Sequence, residues 1–141
     1  MIVSCVSWFH EGDIHIRVYT VDGGTVSEQI WEGGWKPGAF AASGKAVAAT
    51  SWWRDGRPHI RVYVAEASGK ITEHCWDDAW YVGAFSAEGQ DVSVTSWSDG
   101  EHIRVYVING DTITEHCWDG RWAIGIYAQR LGPNLTFPIL G

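Results

Sequence analysis

The hydrophobic positions of this chain fall in short runs rather than in long stripes. The runs are rich in Val, Ile, Thr and aromatic residues, and turn signals such as Asp22-Gly23-Gly24 and Asn109-Gly110-Asp111 separate them. No apolar period of 3.6 residues is sustained over about ten residues, which argues against helix anywhere. The pattern therefore predicts an all-β protein.

One segment occurs three times along the chain. The dipeptide Ser-Trp stands at residues 7–8, 51–52 and 96–97, so the repeat length is 44 residues (7 to 51) and then 45 (51 to 96). Each copy continues with Ile-Arg-Val-Tyr, a turn, a strand with one Glu, a pair of Trp residues, and a closing Gly-Ala-Phe or Gly-Ile-Tyr. A fixed period of this length indicates a repeat architecture.

Each repeat supplies four predicted strands. They are the stretch that ends at Ser-Trp, the Ile-Arg-Val-Tyr strand, the Glu-bearing strand, and the strand that ends at Gly-Ala-Phe. Four antiparallel strands in about 45 residues predict one blade of a β-propeller. We expect blades at about residues 1–43, 44–88 and 89–129, followed by a C-terminal tail at 130–141 that is unlike the repeat.

The number of blades predicts how the chain assembles. Propellers usually close with about 4 to 8 blades, and six is the only multiple of three in that range. Three blades alone would leave the flat faces of the first and last blades exposed, whereas two chains arranged head to tail would cover both. The sequence therefore predicts a homodimer that completes a six-bladed ring.

Composition adds one unusual feature, which is Trp. The chain has 141 residues, 45% hydrophobic and 19% charged, but ten of them are Trp. Two indoles in each Trp pair exceed what a core requires, and they predict stacking surfaces for a ligand. The net charge of −7 and the pI near 5.2 oppose binding to phosphate backbones, so we expect no nucleic-acid partner.

Several other functions are not expected. No apolar run approaches the roughly 20 residues that span a bilayer, and residues 1–6 lack a basic region, so we expect a soluble chain without membrane insertion or a signal peptide. The sequence does not decide between a cytoplasmic location and secretion by another route.

The three Cys residues form no C-x-x-C pair and predict buried free thiols. His74 and Cys75 are adjacent and point to opposite faces of a strand, so no metal and no cofactor are expected.

One Arg and one Glu recur on neighbouring strands of every repeat. They are Arg17 with Glu28, Arg61 with Glu73, and Arg104 with Glu115. One interpretation is a structural cross-strand ion pair. The other is a sugar site in each blade, because a sugar presents a C–H face to an aromatic ring and hydroxyls to charged groups, at roughly 1.5–3 kcal/mol per charge-assisted bond. A third Trp in each repeat is assigned to packing: Trp8, Trp52 and Trp97.

Longer strings carry a specific resemblance. Residues 71–77 (ITEHCWD), 80–85 (WYVGAF), 91–97 (DVSVTSW) and 102–106 (HIRVY) resemble blades of the fucose-binding lectins of the Aleuria type and of their short bacterial relatives. The resemblance covers residues 4–128, all three repeats. In this family the fungal chains carry six blades, and the short bacterial chains carry two and form trimers. A three-bladed chain that dimerises would fit between them.

The resemblance also implies where fucose or fucosylated glycans would bind. In that family a site lies between adjacent blades, with Arg, Glu and a backbone N–H of the Gly-Ala-Phe segment from one blade and the Trp pair from the next. The first implied site joins Arg17, Glu28 and Ala39 to Trp76 and Trp80, the second joins Arg61, Glu73 and Ala84 to Trp118 and Trp122, and the third joins Arg104, Glu115 and Ile126 to Trp31 and Trp35 of the partner subunit.

The sites are not identical copies of the family pattern. Residues 29–32 read Gln-Ile-Trp-Glu where the family has His-Cys-Trp-Asp, and Ile126 stands in place of Ala. Three residues separate the two Trp of each pair, where short relatives often have four. We therefore expect the sites to differ in preference.

The sequence also has features of two other classes of protein, WD-repeat scaffolds and glycosidases. Trp76-Asp77 and Trp118-Asp119 are the dipeptides of WD-repeat scaffolds, but the repeats lack an opening Gly-His and the first has Trp31-Glu32. A glycosidase needs two carboxylates in different environments across one bond. Here a single Glu recurs beside an Arg that would keep it ionised, and Asp77 and Asp119 are interpreted as turn residues. We expect no enzyme activity.

Overall fold

The computed structural model describes residues 2–130, which form three four-stranded antiparallel sheets. Within those residues every regular element is a strand, so the all-β prediction is confirmed. The first sheet contains β1 (Ile2–His10), β2 (Asp13–Asp22), β3 (Thr25–Trp31) and β4 (Trp35–Ser43); the second contains β5 (Ala46–Arg54), β6 (Arg57–Ala65), β7 (Lys70–Trp76) and β8 (Trp80–Glu88); the third contains β9 (Asp91–Trp97), β10 (His102–Asn109), β11 (Thr112–Trp118) and β12 (Trp122–Arg130).

Strands lie in chain order within each sheet, and each sheet is made from one repeat. The predicted segments are recovered, but the strands are longer. The last strand of each sheet continues three residues beyond its aromatic residue, from Phe40 to Ser43, Phe85 to Glu88 and Tyr127 to Arg130. The predicted tail overlaps the last strand at Arg130, and the rest of it, residues 131–141, lies outside the described residues.

Consecutive sheets meet along their first strands. β1 lies beside β5 and β5 lies beside β9, so the first strands form the inner edge around which the sheets are arranged. Polar contacts join them: the Ala49 N–H donates to Ser4 Oγ at 3.0 Å, and the hydroxyls of Thr50 and Ser96 are 2.6 Å apart. Sheets arranged radially in this way are blades of a β-propeller.

The hydrophobic core lies between the blades. Between blades 1 and 2 it includes Tyr19 and Phe40 from one side and Val47 and Val62 from the other. Between blades 2 and 3 a second cluster repeats this packing with Tyr63 and Phe85. Because side chains alternate along a strand, each blade has one face toward the preceding blade and one toward the next.

This arrangement corrects the prediction for one cysteine. Cys75 is buried and Cys117 is half-buried, but Cys5 is exposed. Cys5 lies on the face of blade 1 that points away from blade 2, as Val3 does, and no other blade formed by residues 2–130 covers that face. No helix within residues 2–130 could span a membrane.

The hairpin between the first and second strands differs among the blades. Nine positions separate Trp52 from Arg61, but only seven separate Trp97 from Arg104. In blade 2 the turn residues Asp55 and Gly56 both have positive φ, 54° and 75°, as a tight two-residue hairpin requires. In blade 3 the two strands are shorter, and residues 98–101 connect them.

Candidate binding sites between the blades

The recurring Arg of each blade lies on the second strand, between an indole and a carboxylate. The Arg61 guanidinium is centred 4.9 Å from the Trp52 ring, and its two terminal nitrogens donate to the two oxygens of Asp77 at 2.9 and 3.1 Å. The other blades repeat the stacking, at 4.7 Å for Arg17 over Trp8 and 4.9 Å for Arg104 over Trp97. The third Trp of each repeat thus supports the Arg side chain.

The carboxylate beside Arg was misassigned from the sequence. Asp77 and Asp119 do follow strands, but they also hold an Arg, and Arg104 pairs with Asp119 at 2.9 and 3.2 Å. In blade 1 Glu32 takes this place, with a single contact of 2.8 Å to Arg17. The cross-strand register explains the error: Cys75, not Glu73, lies opposite Arg61. The structural pair of Arg with the recurring Glu, considered from the sequence, is therefore replaced by an Arg–Asp pair in blades 2 and 3 and by Arg17–Glu32 in blade 1.

The Arg–Asp pair in blade 2 is reinforced on several sides. Burial opposes ionisation of Asp77, but hydrogen bonds from Arg61, Tyr81 and His59 hold its pKa at about 2. In blade 3 a hydrogen bond from Arg104, and another from His102, lower the pKa of Asp119. Each Arg is therefore held in one orientation by a carboxylate that stays ionised at neutral pH.

The recurring Glu is held by the Tyr of Ile-Arg-Val-Tyr. The hydroxyl of Tyr63 donates to Glu73 Oε2 at 2.6 Å, and Glu73 is only 4% exposed. Burial and the neighbouring carboxylate raise the pKa of Tyr63 well above its usual range, so its hydroxyl remains a donor. The same bond is 2.7 Å from Tyr19 to Glu28 and 2.8 Å from Tyr106 to Glu115.

The Gly of the closing motif makes room for this Glu. The register between β7 and β8 shifts between Thr72 and His74, so Glu73 lies at a bulge. A Cβ atom at Gly83 would collide with the Glu73 carboxylate, and Gly38 and Gly125 stand in the same relation to the Glu of their own blades. The Tyr and the Gly were visible as repeated residues, but their role depends on register, which spacing alone does not reveal.

The Trp pair of each blade faces the preceding blade. Trp76 and Trp80 pack against the core between blades 1 and 2, and Trp118 and Trp122 pack against the core between blades 2 and 3. All three pairs have one geometry, with ring centres 5.5, 5.5 and 5.6 Å apart and planes inclined by 58°, 58° and 56°. Aromatic surface from one blade thus meets Arg and Glu from the blade before it.

The junction between blades 2 and 3 holds a cavity of about 590 Å³. All five residues implied for the second site line it: Arg61, Glu73, Ala84, Trp118 and Trp122. The sequence analysis did not predict several other residues that line this cavity, namely Arg54, Asp55, Arg57, Tyr81 and Gly100.

The junction between blades 1 and 2 has a smaller cavity, of about 270 Å³. Arg17 and Trp76 line it, but Glu28, Ala39 and Trp80 are not among its lining residues. Trp80 packs on Phe40 with ring centres 4.7 Å apart, as Trp122 packs on Phe85 at the next junction. The structure therefore brings only part of the first implied set together around an open space.

The third implied set is divided between the two ends of the chain. Arg104, Glu115 and Ile126 lie on blade 3, on a face that no further blade within the described residues covers, and Ile126 is fully exposed. Trp31 and Trp35 lie on the opposite open face, that of blade 1, where Trp35 is 56% exposed. Within residues 2–130, no group of three or more His, Cys, Asp or Glu side chains is placed to hold a metal ion.

Three radial blades, with Arg and Glu repeated on one face and a Trp pair on the other, define a propeller of the lectin class. Residues 31–133 match the family described as fungal fucose-specific lectins, and the chain belongs to that family. The resemblance inferred from the motifs is thus confirmed. The curated proteins contain no match to the chain.

Solved structures extend the comparison. A fucose lectin from Kordia zhangzhouensis, solved with methyl-fucoside, is 38% identical with a TM-score of 0.76, and the match covers 87% of this chain and 98% of that one. SapL1 lectin, solved with alpha methyl fucoside, is 32% identical with a TM-score of 0.77, over 94% and 48% of the two chains. A lectin from Aleuria aurantia, described as a six-bladed β-propeller, is 28% identical with a TM-score of 0.73, over 92% and 44%. This chain therefore spans nearly all of the first relative and about half of the other two.

Proposed function

We propose that this chain is a multivalent lectin that binds L-fucose, and glycans that carry it, at the junctions between adjacent blades. The observation that carries the proposal is the cavity between blades 2 and 3, which is lined by Arg61, Glu73, Trp118 and Trp122. The relatives solved with a methyl fucoside support the choice of sugar.

The side chains of this cavity suit a sugar chemically. Arg61 uses three of its five N–H groups on Asp77 and the Ile60 carbonyl, which leaves two for ligand oxygens. Glu73 accepts one bond from Tyr63, and the remaining lone pairs of its carboxylate can accept from sugar hydroxyls. The Trp pair offers an aromatic surface to the C–H face of the ring.

Binding rather than hydrolysis is the activity that fits. A glycosidase needs one carboxylic acid that can give up a proton and a second carboxylate across the bond. Asp77, the other carboxylate beside Arg61, is fully used by Arg61, Tyr81 and His59, and its pKa of about 2 leaves it without a proton to donate near neutral pH. We therefore propose no enzyme activity.

The third site is proposed to form between two chains. A head-to-tail dimer would bring Arg104 and Glu115 of one protomer against Trp31 and Trp35 of its partner and would close a ring of six blades. The uncovered faces support this arrangement, since Tyr127 is 42% exposed where its equivalent Phe85 is 4% exposed. Three kinds of junction, each occurring twice, would give six sites and multivalent binding.

Calorimetric titration with methyl α-L-fucoside tests this function. The wild type should bind three molecules per chain, and Arg61→Ala should bind two, because only the junction between blades 2 and 3 loses its donor. Arg121→Ala is the matched control, since Arg121 is exposed and lies outside the cavity lining. Unchanged stoichiometry and affinity in a folded Arg61→Ala protein would contradict the assignment.

A further inference from the structure

The residue after the second Trp of each pair differs in every blade. It is Lys36 in blade 1, Tyr81 in blade 2 and Ala123 in blade 3. Tyr81 lies opposite Cys75 on β8, in the same cross-strand row as Arg61, and it lines the cavity between blades 2 and 3. An aromatic ring therefore stands at this position in one blade of three.

Tyr81 combines exposure with a fixed orientation. It is 48% exposed, yet its hydroxyl donates to Asp77, which also holds Arg61. A side chain held in this way loses little rotamer freedom when a ligand packs on it. Lys36 has no aromatic ring, and its ammonium group pairs with Glu32 at 3.3 Å.

The same junction has space for more than one sugar. Its volume of about 590 Å³ lies within the range of roughly 300–1,000 Å³ that accommodates drug-sized ligands. The first hairpin of blade 3 contributes Gly100 and Ile103 to the lining, and Gly100 packs directly against Trp52. At the junction between blades 1 and 2, Trp53 stacks on His10 with ring centres 4.4 Å apart, and the cavity is less than half as large.

We propose that Tyr81 is the platform for the second sugar of a fucosylated glycan, at the junction between blades 2 and 3 only. The inference rests on the proposed function, because it places fucose against Arg61 and Glu73. The chain of the glycan must then leave the cavity across its exposed rim, where Tyr81 presents an aromatic surface. The sites with Lys36 or Ala123 at this position bind fucose without that added contact.

Titration with two probes tests the inference: methyl α-L-fucoside, and the trisaccharide fucosyllactose in which fucose is attached to a galactose ring. In the wild type, one site per chain should bind the trisaccharide roughly three- to tenfold more tightly than the fucoside, which is the size of one aromatic contact. Tyr81→Ala should bring the ratio of the two affinities at this site close to one, because only the trisaccharide loses a direct contact with the ring. Tyr81→Phe should keep the preference, and Lys36→Ala should leave it unchanged.

Several results would overturn the inference. If Tyr81→Ala weakens both probes equally, Tyr81 acts by holding Asp77 and Arg61 rather than as a platform. If Tyr81→Phe loses as much preference as Tyr81→Ala, the hydroxyl rather than the ring is responsible. If the wild type binds the fucoside but shows no preference, this inference alone fails, whereas absence of all fucoside binding would refute the proposed function with it.

Discussion

Equivalent residues of the repeats lie in different surroundings. Some are at the junction between blades 2 and 3, and others are on the open faces at the two ends of the chain. Phe85 is 4% exposed, whereas Tyr127, at the same position of the next repeat, is 42% exposed. Val47 and Val92 are 5% and 8% exposed, whereas their equivalent Val3 is 61% exposed. Local structure is the same in each case, so burial is decided by the presence of a neighbouring blade.

A single blade of this chain therefore cannot cover its own apolar faces. Each blade buries one apolar face against the preceding blade and the other against the next, as stacked repeats do. On the outer faces of blades 1 and 3 of the described residues the apolar surface is uncovered, as at Val3 and Tyr127. Contiguous exposed apolar surface marks an interaction site, which supports the head-to-tail dimer proposed above.

The largest expected effect comes from placing a charge on the open face of blade 1. Val3→Asp should convert the dimer to a monomer, because a buried Val contributes roughly 1.5–3 kcal/mol at each of two equivalent interfaces and an unpaired carboxylate there adds a desolvation cost. Light scattering after gel filtration measures the mass. Ser43→Asp, at an exposed position at the end of β4, is the control and should remain dimeric. A dimeric Val3→Asp protein would show that this face is not the interface.

The next largest effect is expected from Gly83→Ala, which tests the junction between blades 2 and 3. Gly83→Ala should place a methyl group against the Glu73 carboxylate, destabilise the fold by about 1–3 kcal/mol and remove one fucose site per chain. Thermal unfolding and calorimetry measure the two effects. Gly34→Ala is the matched control, because a Cβ there meets open space. Normal fucose stoichiometry in Gly83→Ala would argue against the role given to the bulge.

The smallest expected effect is a pH dependence at the Arg61–Asp77 pair. Because the pKa of Asp77 falls from 3.8 to about 2 on folding, this pair stabilises the fold fully above pH 3.8 and loses its contribution as the pH falls through about 2. Asp77→Asn should therefore lower the melting temperature at pH 6, and the gap from wild type should close toward pH 2. A gap that stays constant over this range would mean that the charge of Asp77 does not stabilise the fold.

The sequence predicted the blades well because the repeat recurs three times and the strands alternate with strong turn signals. It also singled out Arg61, Glu73, Trp118 and Trp122, because these residue types recur at fixed offsets, and the four side chains line one cavity. It did not predict that Tyr63 holds Glu73 or that Asp77 holds Arg61, because those pairings depend on cross-strand register and on a bulge. The exposure of Cys5 was missed for another reason: it depends on how the blades are placed, because Cys5 lies on the face of blade 1 that points away from blade 2.

The combined mass and fucose stoichiometry of one sample test the central claim most directly. Light scattering should give twice the chain mass of 15.7 kDa, and titration should give three methyl fucosides per chain, because the third site needs both subunits. Trp31→Ala should reduce three sites to two, and added fucoside should raise the melting temperature of the wild type by mass action. A monomer that binds three fucosides per chain would contradict both the dimer and the shared site.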